Sequence, residues 1–272
     1  MDFIDKKNLF GDKYKAFVFC EYTRELELLK RLINIAEQAV LQQASKNTWS
    51  FEGVCHSFAQ TIVDYSKMAY DNLLLGHFHA VNMICRSILE NVVCLDIIIN
   101  NNEHELWKYY WAYSHRETIY KAKRKPTRNE LDFLEKLYVD LELPNDFYTA
   151  TKNKEKAYIE RPYGWTYKIN HKKQFNFEGV CNLIEADGEY KGFQLMSSYS
   201  HGTSFYMKMH SSISVDSMMN MFINLYINLY RMIVMYCLDS INEEFDGLTE
   251  DMENIFYNFI QYEEEIWVGN ED

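Results

Sequence analysis

The stretch LLLGHFHAVNMICRSILENVVCLDIIIN, residues 73–100, decides the fold class of this chain. Apolar residues fill almost every turn, and one polar line runs along the stretch at spacings of three, four and four: His79, Asn82, Arg86 and Glu90. Such spacings place side chains on one face of an α-helix. The pattern therefore predicts a long helix that is buried on nearly all sides and carries a single polar face.

Two opposite charges lie one turn apart on this predicted helix. Arg86 precedes Glu90 by four residues, and apolar side chains surround both. An isolated charge in an apolar interior is costly, so the two groups must either pair or line a cavity. We expect Arg86 and Glu90 to form a buried ion pair.

Composition extends the helical prediction to the whole chain. Hydrophobic residues make up 47% of the 272 residues, and only 3 Pro and 10 Gly occur, which is too few for a turn-rich β fold. A second long apolar stretch lies at residues 215–241. We predict an all-α, single-domain multi-helix bundle with residues 73–100 and 215–241 as its two central helices.

The remaining segments are assigned around those two helices. One helical domain is expected over residues 1–272. It begins with a lead-in at 1–20, contains an irregular basic loop at 158–175, and ends in an acidic helix and tail at 239–272. Further helices are predicted at 21–45, 49–75, 103–125, 127–141, 178–186, 190–200 and 250–267. The Gly-Leu-Thr sequence at 247–249 is predicted to separate the last two helices.

The net charge of −12 is concentrated at one end of the chain. Residues 239–272 carry 12 acidic and no basic side chains, so the remainder balances 28 basic against 28 acidic groups. Residues 108–173 carry 15 basic and 9 acidic groups. These segments are either ordinary solvated surfaces, or a basic middle that meets an anion and an acidic tail that shields it.

Cysteine use and the chain start predict the compartment. The six cysteines are scattered without a CxxC pair, which favours a reducing cytoplasm and gives no reason to expect a metal or a cofactor. The N-terminus has no apolar signal core. Residues 80–99 and 217–238 are apolar but interrupted by charged or amide side chains, so we expect core helices and no membrane partner.

Polar features on three otherwise apolar segments could converge on one interior site. They are the line from His79 to Glu90, the stretch SSYSHGTS at 197–204, and a second line at Asn220, Asn224, Asn228 and Arg231. The candidate catalytic residues are Arg86, Glu90 and His201, and the candidate substrate-binding residues are His79, Asn82, Ser198, Tyr199, Ser200, Lys121 and Arg124. A satisfied polar network that fixes helix register, without chemistry, is the alternative.

Two short motifs carry a family resemblance. Arg86-Ser-Ile-Leu-Glu90, followed far downstream by Ser-Tyr-Ser-His201-Gly, resembles the bacterial group called domain of unknown function 5677, over roughly residues 50–240. That group is similar in style to the HEPN nucleases, helical dimers of toxin and phage-defence systems that cut RNA without metal. Those nucleases carry Arg-x(4–6)-His, a spacing that no Arg has here, so the fold would have to bring Arg86 and His201 together.

Two functional hypotheses follow. In the first, the protein is a metal-independent RNA-cleaving effector: His201 takes the ribose 2′-hydroxyl proton, Arg86 stabilises the phosphorane, and the basic, aromatic middle binds single-stranded RNA. In the second, it is a non-catalytic helical interaction or sensor protein with a structural polar core. Four aromatic side chains lie off the apolar faces of the predicted helices and further predict a homodimer: Trp107, Tyr110, Trp111 and Trp267.

Overall fold

The computed structural model describes residues 22–43, 49–75, 77–122, 125–150, 156–185, 191, 194, 215–238 and 243–268. Most of these residues are helical, and no β-strand occurs among them, which confirms the all-α class. Nine α-helices lie in the described ranges: α1 (Thr23–Gln42), α2 (Phe51–Leu74), α3 (Phe78–Asn100), α4 (Leu106–Lys121), α5 (Arg128–Asp140), α6 (Asn145–Tyr148), α7 (Phe177–Cys181), α8 (Val215–Tyr236) and α9 (Glu243–Val268). Four 3₁₀ turns join them: Asn102–His104, Tyr158–Glu160, Gly164–Thr166 and Asn182–Ile184.

The deciding stretch divides between two helices. Leu73 belongs to the end of α2, and the central helix α3 begins only at Phe78. The last turn of α2 is closed by the Leu75 amide, which donates to the carbonyl of Asp71 at 3.2 Å. The sequence carries Gly76 at this break, and a glycine is a common helix terminator.

The second apolar helix and the acidic helix also have different ends from those predicted. Helix α8 ends at Tyr236, five residues earlier than expected, and α9 begins at Glu243 and runs through Gly247. The predicted stop at 247–249 is wrong, because α9 continues through these residues. Within the helix, Thr249 donates its hydroxyl to the carbonyl of Asp246 at 2.8 Å. A single glycine costs a helix only about 1 kcal/mol, which the packing of an amphipathic face outweighs.

The ends of α5 agree with the sequence prediction. Thr127 accepts a hydrogen bond from the Glu130 amide, and the Glu130 carboxylate accepts one from the Thr127 amide, which completes a capping box. The predicted helix at 103–125 is shorter, because a 3₁₀ turn with Glu105 in the left-handed region precedes α4. The helix predicted at 190–200 lies outside the described residues apart from 191 and 194.

The chain folds into two compact units. The first comprises Met1–Gln43, Ala59–Leu89 and Leu195–Asp272. Within it, α1 packs against α8 and α9, and buries a row of leucines, among them Leu29 and Leu32. Two exposed ion pairs connect α1 to α9: Arg24 with Asp251 at 2.9 Å and Arg31 with Glu244 at 3.5 Å.

The second unit comprises Ala44–Phe58 and Glu90–Gln194. Helix α4 packs against α5 and against the 3₁₀ turns that follow α6. The region predicted as an irregular loop at 158–175 does lack long helices, but it is well packed, since Trp165 is 1% exposed. Two compact units can still unfold together, so the single domain over 1–272 stays a prediction.

Two features are absent from the described residues. No helix in the described ranges has both the length and the hydropathy needed to cross a membrane. The same ranges hold no group of three or more His, Cys, Asp or Glu side chains arranged to bind a metal ion.

Candidate functional site

The polar line on α3 is present and runs from a buried to a half-buried environment. Asn82 is buried, and Arg86 and Glu90 are half-buried. The side chain of His79 lies outside the described residues. Apolar residues around the line, including Val81 and Ile88, are fully buried, but Met83 is 49% exposed, so α3 is buried on fewer sides than its composition predicts.

A tyrosine that the sequence analysis did not single out contacts Glu90. The Tyr163 hydroxyl donates a hydrogen bond to the Glu90 carboxylate, across 73 positions of the sequence. A bond from a hydroxyl to an ionised acceptor is among the stronger hydrogen bonds in proteins. Glu90 is therefore tied to the irregular region of the second unit.

Local backbone geometry sets the position of this tyrosine. Tyr163 has a φ of +54°, in the left-handed region that side chains rarely adopt. The next residue, Gly164, approaches the backbone so closely that a Cβ there would lie 1.7 Å from the carbonyl oxygen of Tyr158. Only glycine fits that turn, and the turn holds Tyr163 in place.

Other weakly acidic groups surround the Glu90 carboxylate. Burial, the charge of Glu90 and the hydrogen bond to it all raise the pKa of Tyr163. Burial, followed by the charges of Glu117 and Glu90, raises the pKa of Tyr113 to about 12. Burial and the Glu90 charge also raise the pKa of the Cys94 thiol. Near neutral pH these groups keep their protons, so they add no further negative charge beside the carboxylate.

The convergence of Arg86 with His201 stays a prediction. Six of the candidate residues lie outside the described residues, in whole or by their side chains: His79, Arg124, Ser198, Tyr199, Ser200 and His201. The Arg86–Glu90 ion pair also stays a prediction. Lys121 is exposed at the end of α4, where it pairs with Glu117 at 3.0 Å.

The second polar line lies on α8 in the first unit. Asn228 is 3% exposed, and its amide nitrogen donates to the carbonyl of Asn224 at 2.7 Å. The Asn228 Oδ1 atom has no hydrogen-bond partner among the described residues. Asn224 and Arg231 are half-buried, and the side chain of Asn220 lies outside the described residues.

The aromatic residues of the basic middle pack against one another. Tyr167 stacks against Tyr158 with ring centroids 4.7 Å apart and against Phe147 at 5.4 Å. Tyr110 contacts Trp165 at 5.4 Å in an edge-on arrangement. These ring contacts form the aromatic core of the second unit, so several faces that could stack on bases are already occupied.

Several cations of the basic middle lie over these rings or pair with carboxylates. The Lys168 ammonium lies 4.8 Å from the ring centroid of Tyr109, and the Arg161 guanidinium lies 5.4 Å from that of Phe175. Such contacts hold basic side chains against aromatic surface while one side stays open to water. Arg116, by contrast, is 13% exposed and pairs with Glu160 at 3.0 Å.

Together, the fold and the site define an all-α protein whose central helix carries a half-buried Arg-x-x-x-Glu sequence, with its carboxylate bound by a distant tyrosine. Comparison with known families matches residues 52–218 to a family of unknown function, DUF5677. The chain belongs to that family. No curated protein and no solved structure matches it.

Proposed function

We propose that the protein is a non-catalytic helical interaction protein whose polar interior holds its elements in register. The hydrogen bond from Tyr163 to Glu90 carries this proposal. A buried polar network with satisfied partners fixes one arrangement of the elements that it joins. In this role Glu90 is an anchor for the 3₁₀ turn Gly164–Thr166, and it takes no part in proton transfer.

The packing of the basic, aromatic middle supports the same role. Tyr167 and Trp165 contribute their rings to the interior of the second unit, and Arg116 is paired with Glu160. A surface that binds single-stranded RNA needs exposed rings and unpaired cations in one groove. Several aromatic residues that composition suggested for that surface therefore serve packing instead.

A cytoplasmic location is part of the proposal. The five cysteines that the structure describes are free and buried, at positions 55, 85, 94, 181 and 237. Free buried cysteines act as small hydrophobic residues and are typical of a reducing compartment.

The decisive test combines an RNA assay with a stability measurement. Purified protein is incubated with mixed RNA in EDTA, with His201→Ala as the matched variant. We expect intact RNA with both proteins, and a lower free energy of unfolding for Tyr163→Phe. Cleavage by the wild type that is lost in His201→Ala would overturn the proposal.

The second candidate is metal-independent RNA cleavage by an effector of a toxin or phage-defence system. Its support is the half-buried position of Arg86, which leaves part of the side chain open to solvent. His201 would take the proton of a ribose 2′-hydroxyl, whose oxygen attacks the neighbouring phosphorus and expels the 5′-oxygen. Arg86 would stabilise the charge of the phosphorane. Glu90 would orient one of these two groups.

Substrate binding in that mechanism would depend on charge. The residues that would contact the RNA are His79, Asn82, Ser198, Tyr199, Ser200, Lys121 and Arg124. Exposed lysines such as Lys172 would add to the attraction. RNA affinity should then fall steeply with salt, by an amount that reports the number of phosphates neutralised. If affinity does not change between low and high salt, this candidate fails independently of the cleavage assay.

A further inference from the structure

A recess of the second unit lies outside the polar line of α3. It has a volume of about 590 Å³, within the range of ligand sites, and is lined by residues of α4 and α5 together with residues 148–150 and 159–160. Leu134 and Ile159 are buried in its lining. The recess is therefore a groove with an apolar floor.

One wall of the groove exposes apolar side chains in a regular series. Leu131, Glu135 and Val139 lie at positions i, i+4 and i+8 of α5, so they follow one face of that helix over about 12 Å. Leu131 is 39% exposed and Val139 is 71% exposed. Leu131 and Val139 are therefore two exposed aliphatic side chains on one face of α5, with the Glu135 carboxylate between them.

The described lining of the groove carries two acidic side chains, Glu135 and Glu160, and one basic side chain, Arg116. Its basic residue, Arg116, is 13% exposed and pairs with Glu160 at 3.0 Å. Its guanidinium also lies 4.2 Å from the ring centroid of Tyr120. Glu135 is exposed and has no hydrogen-bond or ion-pair partner among the described residues. An incoming cation would thus meet an unpaired carboxylate between two apolar contacts.

We propose that this groove binds an amphipathic helix of a partner protein, with a Lys or Arg flanked by apolar residues at i−4 and i+4. A helix of that pattern has the same spacing as the wall formed by Leu131, Glu135 and Val139. Its apolar side chains would bury the two exposed aliphatic residues, and its cation would pair with Glu135. The inference rests on the proposed function, because it names the kind of partner that an interaction protein of this shape takes.

The test uses the full chain and two labelled synthetic peptides of about 18 residues, long enough to form a helix. Both carry Leu at the two outer positions, and they differ only by Lys or Glu at the central one. Fluorescence anisotropy should show that wild-type protein binds the lysine peptide about tenfold more tightly than the glutamate peptide. This corresponds to a difference in binding free energy of about 1.4 kcal/mol. In Glu135→Lys the preference should reverse.

A control variant on the same helix separates the groove from general charge. Asp132→Lys makes the same charge change on α5 but lies outside the groove lining, so it should leave the preference intact. A photo-crosslinker at the peptide centre should attach to α5. Equal affinity for the two peptides, no binding of either, or equal effects of Glu135→Lys and Asp132→Lys would overturn the inference. The RNA assay tests the non-catalytic role and does not depend on peptide binding, so the groove and the proposed function can be rejected separately.

Discussion

Glu90 shows how one long-range contact changes the interpretation of a motif. On the sequence alone its partner is the arginine one turn away, yet its carboxylate accepts a hydrogen bond from Tyr163, which comes from a different part of the chain. Since the phenol keeps its proton well above neutral pH, this bond persists across the physiological range.

Tyr163→Phe removes the donor and leaves the ring in place. We expect the free energy of unfolding to fall by about 1.5–3 kcal/mol, the usual contribution of a hydrogen bond to a charged group. Urea unfolding at pH 7 would measure it. Tyr120→Phe is the control, because that side chain is 44% exposed, and it should change the free energy by less than about 0.5 kcal/mol. Equal effects of the two variants would contradict a structural role for the Tyr163–Glu90 bond.

His115 offers a second test at the scale of a single residue. It lies among Trp49, Trp111 and Phe133, with centroid distances of 6.2, 4.9 and 5.5 Å, and burial lowers its pKa below the ordinary 6.5. The folded state therefore prefers neutral imidazole. The associated stability is present above about pH 6.5 and is lost as the pH falls through the folded-state pKa.

An NMR titration of the imidazole resonances should place the midpoint of His115 below 6.5. Trp49→Ala should move that midpoint upward, because it opens the ring to water. A wild-type midpoint at or above 6.5 would show that the aromatic cluster does not shield the ring.

At the scale of elements, glycine has opposite roles in two places. Gly164 forms a turn in which any Cβ would collide with the Tyr158 carbonyl oxygen, whereas a Cβ at Gly247 would meet no atom within 4 Å. Gly247 lies inside α9, where its only effect is a lower helix propensity.

These two glycines give a matched pair of substitutions. Gly164→Ala should destabilise the protein by more than about 2 kcal/mol, because backbone atoms must move. Gly247→Ala should stabilise it by up to about 1 kcal/mol. Thermal unfolding of both variants, followed by circular dichroism, would measure the two shifts. A stabilised Gly164→Ala would mean that the turn can rearrange without cost.

At the scale of the whole molecule, many buried weak acids make stability sensitive to alkaline pH. Burial raises the pKa of the Cys55, Cys85 and Cys237 thiols to about 12, and that of the Tyr138 hydroxyl to about 12. Because these pKa values are raised above the unfolded values, their contribution is complete below the unfolded pKa and is lost as the pH rises.

We therefore expect the free energy of unfolding to decrease above about pH 9, where unfolded thiols begin to ionise. Each group that ionises only on unfolding contributes a slope of about 1.4 kcal/mol per pH unit. Urea unfolding between pH 7 and 10.5 tests this expectation. A Cys85→Ala variant should show a shallower decline, and a flat profile for the wild type would contradict the burial of these groups.

A homodimer also stays a prediction for the whole molecule. Of the aromatic side chains that suggested it, Tyr110 packs against Trp165 inside the second unit, whereas Trp107 and Trp111 are half-buried. Light scattering at micromolar concentration should give twice the chain mass of 32.5 kDa. A monomer mass would reject the prediction.

The sequence by itself determined the helical class and much of the helix order. Hydrophobic periodicity and capping are local properties, so the buried α3 and the capping box of Thr127 with Glu130 could be predicted. The predicted helix boundary at residues 243–249 was less accurate, because packing outweighs a single weak helix former such as Gly247.

Only the tertiary structure decided which side chains meet. No spacing rule connects Glu90 to Tyr163, and nothing local indicates that the aromatic residues of 158–175 form a core instead of an exposed surface. The groove lined by α4, α5 and residues 148–150 and 159–160 was likewise not predictable, since its lining comes from separate segments. Contacts between distant segments depend on how the helices pack, and that packing is set by the burial of all their apolar faces at once.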